Sequence, residues 1–263
     1  MEKYIVIGNP INHSLSPKLH NYWMKQNNIN ATYDKKKIEI EDLKEIVLSV
    51  KEKKINGVNV TTPFKYEIIQ FLDKLSPEAK FTKSVNTVYL DEGKTVGHNT
   101  DIQGFEDSMR EIKFDVENKR IQILGAGGVV PSIIFALNKM RSSKITLSNR
   151  TKDKAEKLKE TFRDLEIIDW GKLTDFDIII NATSLGLKKT DKINLDFSKI
   201  GKNKFFYDII YNPKETNFLK IAKNSNHHFE NGKKMFIFQA AAAFKIWHGV
   251  NPEIDENVFK FLD

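Results

Sequence analysis

The sequence predicts an α/β protein built from two domains, and three observations support this fold class. The chain has 263 residues, which is long for one domain and sufficient for two. Apolar, strand-like runs alternate with helix-like runs along both halves, a pattern typical of parallel sheets covered by helices. In the second half, the glycine-rich turn Gly125-Ala-Gly-Gly128 joins a predicted strand to a predicted helix. We therefore expect a domain boundary after the helix that begins near residue 101.

The composition excludes several classes of protein. Hydrophobic residues make up 40% of the chain and charged residues 29%, as in an ordinary globular protein. The absence of cysteine excludes disulfides and thiolate metal sites. The apolar run near the N-terminus is too short for a signal peptide, and no run approaches the ~18 apolar residues of a membrane span. We therefore expect a cytoplasmic protein without a membrane partner.

The net charge of +7 does not indicate a nucleic-acid-binding protein. The excess is spread along the chain, and lysine outnumbers arginine, whereas a nucleic-acid site needs a clustered basic patch. The charge would still favour anionic small molecules. The histidines show no spacing with carboxylates that is typical of a metal site, so we expect none.

The predicted elements of the first domain are strands over residues 4–8, 31–38 and 55–60, helices over 16–28 and 41–51, and a hairpin over 83–97. Thr62 is predicted to cap a third helix, with Pro63 at its first position. Lys65 would then lie in the first turn, where the helix dipole disfavours a cation. That unfavourable position makes Lys65 a candidate acid/base, although an ordinary solvated lysine is the alternative.

Two further polar groups lie at predicted helix starts. Ser14 and Ser16 precede the first helix, where hydroxyl groups and backbone N–H groups can hold a carboxylate or phosphate. Simple helix capping is the alternative, and it would explain Ser16 alone. Asp101 begins the helix after the hairpin, where the dipole favours a carboxylate. A structural role at the helix start is again the alternative.

The glycine turn has the features of a dinucleotide-binding fingerprint. Gly125 allows the tight turn, and Gly127 allows the backbone to approach a pyrophosphate at the helix N-terminus. Val130 occupies the third glycine position, which would force the helix and the strand slightly apart. We interpret the segment as a nucleotide site.

The end of the next strand, residues 144–148, predicts the cofactor. An NAD site usually carries an acidic residue there for the ribose 2′-hydroxyl. This chain carries Asn149-Arg-Thr151, with Lys154 one turn later. An arginine with amide and hydroxyl neighbours would bind a 2′-phosphate, so the pattern indicates NADP. A helix start capped by Thr151 is the alternative.

Later segments add buried strands and one unusual glutamine. Residues 177–181 and 205–208 are predicted strands, and the loop after Asn181 lies where nucleotide sites form in such sheets. Gln239 lies in a strongly apolar helix over residues 235–247. It either satisfies a buried backbone group or contacts a ligand.

Together these motifs resemble the shikimate dehydrogenase family. The matching stretches are Gly8–Asn21, Asn59–Lys65, Val85–Thr87, Gly97–Asp101, Gly125–Gly128, Asn149–Thr151, Asn181–Ser184, Tyr211–Pro213 and the run from Asn231 to Gln239. The resemblance implies a substrate-binding α/β domain (residues 1–101 and 236–263) and a Rossmann-type NADP-binding domain with a parallel sheet (102–235). It also implies reversible, NADPH-dependent reduction of 3-dehydroshikimate to shikimate.

The resemblance assigns roles by position. Lys65 and Asp101 match the catalytic pair. The substrate would be bound by Ser14, Ser16, Thr61, Asn86, Tyr211 and Gln239. The cofactor would be bound by Gly125, Ala126, Gly127, Gly128, Asn149, Arg150, Thr151, Lys154, Thr183, Ile209, Gly232 and Met235, with Met235 and the loop after Asn181 near the nicotinamide.

Two other functions remain open from the sequence. A quinate/shikimate dehydrogenase would share the fold but often prefers NAD, against which Arg150 argues. A catalytically inactive NADP-binding regulatory module has no need for both Lys65 and Asp101. The expected partners are small molecules, and the chain is expected to be a monomer or homodimer.

Overall fold

The computed structural model describes residues 1–262, which form two compact units. Unit 1 comprises Met1–Gly104 together with the chain from Ile237 onward, and unit 2 comprises Phe105–Phe236. The assignment of substrate to residues 1–101 and 236–263, and of NADP to 102–235, stays a prediction. No helix within residues 1–262 combines the length and apolar character needed to cross a membrane.

Unit 1 is built on a six-stranded mixed sheet. Its strands are β1 (Glu2–Gly8), β2 (Ala31–Lys37), β3 (Gly57–Val60), β4 (Lys74–Leu75), β5 (Thr87–Asp91) and β6 (Lys94–His98). Its helices are α1 (Ser16–Gln26), α2 (Leu43–Lys51), α3 (Pro77–Thr82) and the start of α4 (Asp101–Glu111), with short 3-10 helices at Ile40–Asp42 and Glu67–Phe71. The strand order is β2-β1-β3-β5-β6-β4.

The strand pairing of unit 1 confirms the alternating layer and the hairpin. β1 lies between β2 and β3 and is parallel to both, as expected for strands joined by crossover helices. β5 and β6 form the predicted antiparallel hairpin and extend the sheet beyond β3. The carboxyl ends of β1 and β3 therefore lie side by side, which brings together the loops that follow them.

The helix predicted after Thr62 was wrong. Residues 62–66 form turns, the Thr62–Pro63 peptide bond is cis, and a 3-10 helix begins only at Glu67. Tertiary hydrogen bonding competes with a helix at this point, because the Lys65 carbonyl accepts from Val85 N at 2.9 Å. The dipole argument for Lys65 consequently does not apply.

The capping prediction at Ser16 was also wrong. Ser16 is the first residue of α1, and Leu15 occupies the N-cap position. Ser14 supplies the acceptor instead, since its Oγ accepts from Ser16 N at 3.3 Å. The helix ends at Gln26 rather than at residue 28.

Unit 2 confirms the predicted parallel sheet. Its strands are β7 (Arg120–Leu124), β8 (Lys144–Ser148), β9 (Glu166–Ile168), β10 (Ile178–Asn181), β11 (Phe205–Asp208) and β12 (His228–Asn231), in the order β12-β11-β10-β7-β8-β9. Its helices are α5 (Val130–Lys139), α6 (Lys152–Thr161) and α7 (Asn217–Asn224); α8 (Lys233–His248) follows, and α9 (Glu256–Phe261) belongs to unit 1. The strand order reverses beside β7, which is where doubly wound sheets bind ligands.

Candidate active site

Lys65 is held by its neighbours in the chain rather than by a helix. Phe64 is 2% exposed and packs in the apolar core of unit 1 together with Ile68. The hydrogen bond from Val85 N fixes the Lys65 carbonyl. The backbone on both sides is therefore anchored, and the side chain of Lys65 is itself buried, with the residue 8% exposed.

Lys65 and Asp101 form a buried ion pair. Lys65 Nζ donates to Asp101 Oδ2, and the two side chains are 10% and 7% exposed. Asp101 is the first residue of α4, where the dipole stabilises a carboxylate. An ammonium group and a carboxylate in contact can hold a proton and orient it toward a third group. The structure thus brings together the two residues predicted to be catalytic.

Asn86 organises the polar groups around this pair. Its Nδ2 donates to Asp101 Oδ1 at 2.9 Å and lies 3.4 Å from Gln239 Oε1. Its Oδ1 accepts from Thr100 N at 2.8 Å. Asn86 therefore orients the second oxygen of the Asp101 carboxylate, and it places Gln239 of α8 in the same polar cluster.

A second layer of polar residues was not predicted from the sequence. Asn59 Nδ2 donates to Asn86 O at 3.0 Å and to Thr87 Oγ1 at 3.1 Å, while Asn59 Oδ1 accepts from Tyr33 Oη at 2.6 Å. Tyr33 is fully buried, and its ring stacks on His20 at 4.2 Å. The signal that could have identified Asn59 is one amide within an otherwise apolar strand, since a buried amide needs partners.

Ser14 and Thr61 lie on the loops that follow β1 and β3, and Ser16 begins α1 directly after the first of these loops. Thr61 N donates to Ile7 O at 3.0 Å, which fixes Thr61 beside the end of β1. Ser16 is buried, whereas Ser14 and Thr61 are partly exposed. The three hydroxyl groups are therefore carried by segments that follow adjacent strands at one edge of the sheet.

The glycine turn of unit 2 fits a phosphate-bearing cofactor. Gly125 has φ +105°, and a Cβ there would lie 2.8 Å from Ala182 O. At Gly127 a Cβ would meet nothing closer than Ala182 O at 3.8 Å. Ala126 is partly buried, while Gly127 and Gly128 are exposed. The turn thus presents side-chain-free backbone before α5, as pyrophosphate binding requires.

Val130 does not disturb the turn. It is the first residue of α5 and is fully buried. Val130 N donates to Gly127 O at 3.0 Å, so the turn is closed before α5. The displacement of the helix from the strand stays a prediction.

The residues predicted to bind the 2′-phosphate follow the end of β8. Asn149 Oδ1 accepts from Ala126 N at 3.1 Å, so this loop is tied directly to the glycine turn. Asn149 Nδ2 donates to Thr151 O at 2.7 Å. Arg150, Thr151 and Lys154 are exposed. Thr151 is the N-cap of α6 but makes no side-chain capping bond, so capping does not account for its hydroxyl group.

The remaining predicted cofactor residues lie on the loops after β10 and β11 and at the start of α8. Thr183 Oγ1 donates to Asn181 Oδ1 at 2.7 Å. Gly232 lies so close to Ile209 that a Cβ would be 2.0 Å from Ile209 O, which excludes any side chain there. Met235 is buried. Tyr211, predicted to bind substrate, belongs to unit 2, where its ring stacks on Phe236 at 4.6 Å.

Family models match both parts of the chain. Residues 6–88 match the model described as shikimate dehydrogenase substrate binding domain. Residues 108–217 match the model described as shikimate / quinate 5-dehydrogenase. The two matches fall mainly in unit 1 and in unit 2, respectively.

Relatives match along almost the full length. An NADP(+) shikimate dehydrogenase of Pelagibacter ubique is 55% identical over 260 residues, covering 99% of this chain and 98% of the relative. A crystal structure of shikimate dehydrogenase from Aquifex aeolicus, 39% identical, matches with a TM-score of 0.91 over 100% of this chain and 97% of that one.

A structure from Thermus thermophilus, solved in complex with NADP(H) and shikimate, is 30% identical and matches with a TM-score of 0.90. It covers 100% of this chain and 98% of that one. Full-length identity above half, two matching family models and a shared fold agree with the geometry of both units. The chain belongs to the shikimate dehydrogenase family.

Proposed function

We propose that this protein catalyses the reversible, NADPH-dependent reduction of 3-dehydroshikimate to shikimate. The observation that carries the proposal is the buried Lys65–Asp101 pair, in which Asn86 donates a hydrogen bond to the carboxylate oxygen that does not contact Lys65. Ketone reduction needs a hydride on the carbonyl carbon and a proton on the oxygen. NADPH supplies the hydride when bound, and the protein has to position the ketone and deliver the proton.

Lys65 donates the proton in this scheme. Its ammonium group stabilises the alkoxide that develops on the ketone oxygen, and one N–H proton then moves to that oxygen. In the oxidation direction the neutral amine takes the hydroxyl proton back. Asp101 accepts a hydrogen bond from Lys65 and holds the amine in one orientation.

The substrate-binding roles follow from chemistry and placement. Ser14 and Ser16 would donate hydrogen bonds to the carboxylate, because the start of α1 also favours an anion. Thr61, Asn86 and Gln239 would bind the hydroxyl groups, since amides and hydroxyls both donate and accept. Tyr211 would also bind the substrate, as the resemblance implies.

The cofactor roles also follow from the donor set. The open backbone of Gly125, Ala126, Gly127 and Gly128 suits the pyrophosphate. Asn149, Arg150, Thr151 and Lys154 suit the 2′-phosphate, for which a guanidinium offers a two-pronged donor. Thr183, Ile209, Gly232 and Met235 would line the nicotinamide half. A cytoplasmic location and a monomeric or homodimeric state stay predictions, which cell fractionation and light scattering would test.

A spectrophotometric assay tests the proposal. NADP⁺ with shikimate should give absorbance at the NADPH band, and the specificity constant should be higher for NADP⁺ than for NAD⁺. No turnover of shikimate, together with turnover of another polyol acid, would overturn it. A regulatory NADP-binding protein would bind the cofactor and oxidise nothing.

Quinate is the second candidate substrate, because one matching family model covers shikimate and quinate enzymes. Comparing kcat/KM for shikimate and quinate decides between them. Arg150 supports NADP as the cofactor in either case, since an acidic residue would be needed there for the NAD ribose.

A further inference from the structure

Asp208 is a buried carboxylate that the proposed chemistry does not use. It is the last residue of β11 and is fully buried. Burial raises the pKa of this carboxyl to about 6, so at neutral pH it is an anion that accepts hydrogen bonds. Within residues 1–262 no lysine or arginine pairs with it; all of its partners are neutral.

Three donors from three different segments converge on this carboxylate. Asn181 Nδ2, at the end of β10, donates to Oδ1 at 3.0 Å, and Ile210 N donates to the same oxygen at 3.0 Å. Thr216 Oγ1, at the N-cap of α7, donates to Oδ2 at 2.6 Å. Asp208 therefore joins the end of β10, the loop after β11 and the start of α7.

The bond to Asn181 extends to the loop that follows β10. Asn181 Nδ2 also donates to Leu185 O at 3.0 Å, while Asn181 Oδ1 accepts from Thr183 N at 3.1 Å. Both functional atoms of this amide are thus committed, and its orientation depends on the Asp208 oxygen. If the amide rotated, the loop would lose these bonds as well.

The two loops that Asp208 holds, after β10 and after β11, contact the glycine turn and the residue before α8, respectively. A Cβ on Gly125 would lie 2.8 Å from Ala182 O, so the loop after β10 abuts the turn directly. On the other side, Gly232 N donates to Ile210 O at 3.2 Å. Asp208 therefore supports the loops on the β10–β11 side of β7, whereas Arg150 follows β8 on the opposite side.

We infer that Asp208 is a positioning residue for the nicotinamide half of the cofactor, acting through Asn181 and the loops after β10 and β11. The inference rests on the proposed function. In a doubly wound sheet the dinucleotide spans the strand where the order reverses, so the adenosine half belongs to the β7–β8 side. The loops that Asp208 fixes then receive the other half.

Direct binding to the intact protein tests this inference, using NADP⁺ and adenosine 2′,5′-bisphosphate as the two probes. The second probe keeps the adenosine and the 2′-phosphate but lacks the nicotinamide. Asp208→Asn keeps the shape of the side chain but replaces one acceptor oxygen with an N–H donor that faces Thr216. We expect the Kd for NADP⁺ to rise about tenfold, or by ~1.4 kcal/mol, and the Kd for adenosine 2′,5′-bisphosphate to stay within about twofold.

Thr216→Val is the milder variant and deletes one donor to the carboxylate. It should show the same pattern with a smaller shift, and it keeps the test available if Asp208→Asn does not fold. Asp177→Asn is the matched control, because Asp177 precedes the opposite end of β10 and pairs with Arg120. It should change stability without changing the ratio of the two Kd values.

The outcomes separate the two levels of the argument. If Asp208→Asn weakened the binding of both probes equally, or changed neither Kd, the inference about Asp208 would be overturned and the proposed function would stand. A wild-type protein that binds no NADP⁺ would overturn the proposed function as well.

Discussion

Unit 1 and unit 2 each bury one aspartate, Asp101 at the first position of α4 and Asp208 at the last position of β11. The two carboxylates have different partners. Asp101 is 5% exposed and accepts from Lys65 and Asn86. Asp208 is fully buried and accepts from an amide, a hydroxyl and a backbone N–H. The first group of partners includes the ammonium group of a lysine, whereas the second contains only neutral donors.

The difference shows that burial of a carboxylate does not by itself identify a catalytic group. A carboxylate beside a lysine can orient proton transfer, whereas the neutral donors around Asp208 tie it to the three segments that carry them. The two centres should therefore respond differently to substitution: unit 1 through kcat, and unit 2 through cofactor affinity.

The largest expected effect comes from Lys65→Met. Removing the proton donor should lower kcat by about 10²–10⁴-fold, the usual range for a general acid or base. The Kd for NADP⁺ should not change, because every residue proposed to bind the cofactor lies in unit 2. Stopped-flow measurement of NADPH formation, with calorimetry of NADP⁺ binding, checks both expectations.

Lys204→Met provides a matched control for that substitution. Lys204 is also 8% exposed and also faces carboxylates, those of Asp175 and Asp177, but it lies in unit 2 next to β11. It should destabilise the fold without a large change in kcat. Comparable losses of kcat in the two variants would mean that burial of a lysine, rather than proton transfer, explains the result.

The next effect should appear at Arg150. Charge-assisted hydrogen bonds are worth roughly 1.5–3 kcal/mol, so Arg150→Glu should lower kcat/KM for NADP⁺ by about 10–100-fold. The value for NAD⁺ should stay the same or rise, because its ribose carries no 2′-phosphate. Steady-state kinetics with both cofactors measures the ratio. Lys152→Glu, at an exposed neighbour, should leave the ratio unchanged, and an equal shift there would make the effect one of net charge.

The sequence correctly predicted the elements whose local residue pattern favours the same structure as their tertiary contacts do. The parallel sheet of unit 2 and the hairpin β5–β6 carry strong apolar patterns and clear turns, and both were found. The short or polar elements β4, β9, β12 and α3 were missed, because two to six residues give little periodicity. The helix after Thr62 was wrong because Val85, distant in sequence, uses the Lys65 carbonyl.

The candidate site shows the same limit. Lys65, Asp101 and the glycine turn could be chosen from their positions in motifs. Asn59 and Asp208 could not be assigned partners, because each is satisfied by groups that the fold brings from other segments. Which donors converge on a buried amide or carboxylate depends on sheet order and register, and neither is visible in the local sequence.

Acid should weaken unit 1 more than unit 2. Burial first, and then the nearby His248, lowers the pKa of His20 to about 3, below its unfolded value of 6.5. The unfolded chain therefore binds more protons, and the stability contributed by neutral His20 is lost as pH falls below 6.5. The contribution of Asp208 to stability changes with pH in the opposite direction, because its pKa of about 6 exceeds its unfolded value of 3.8. The folded chain therefore binds more protons at this group, and acid does not weaken unit 2 through it.

The loss from His20 should reach about 2 kcal/mol at pH 5, at 1.36 kcal/mol per pH unit for one proton. Hydrogen exchange resolved by peptide at pH 7 and pH 5 would follow the two units separately. His20→Phe keeps an aromatic ring against Tyr33 and removes the titration, so the acid sensitivity of unit 1 should shrink by that amount. An unchanged sensitivity in the variant would assign it to other groups of unit 1.

The smallest expected effect tests whether the centre of unit 1 also depends on a distant anchor, as we infer for Asp208 in unit 2. Tyr33→Phe removes the hydroxyl that donates to Asn59 Oδ1 and leaves that oxygen buried without its 2.6 Å partner. The penalty for an unsatisfied buried acceptor is about 1–3 kcal/mol. Because Asn59 also donates to the Asn86 carbonyl, a shift of Asn59 would disturb Asn86, whose side chain donates to Asp101. We expect a lower melting temperature and a several-fold fall in kcat. The ratio of Kd values for NADP⁺ and adenosine 2′,5′-bisphosphate should not move. A fall in melting temperature with unchanged kcat would make Tyr33 a packing residue, and a change in the ratio would show that the two buried centres are not independent.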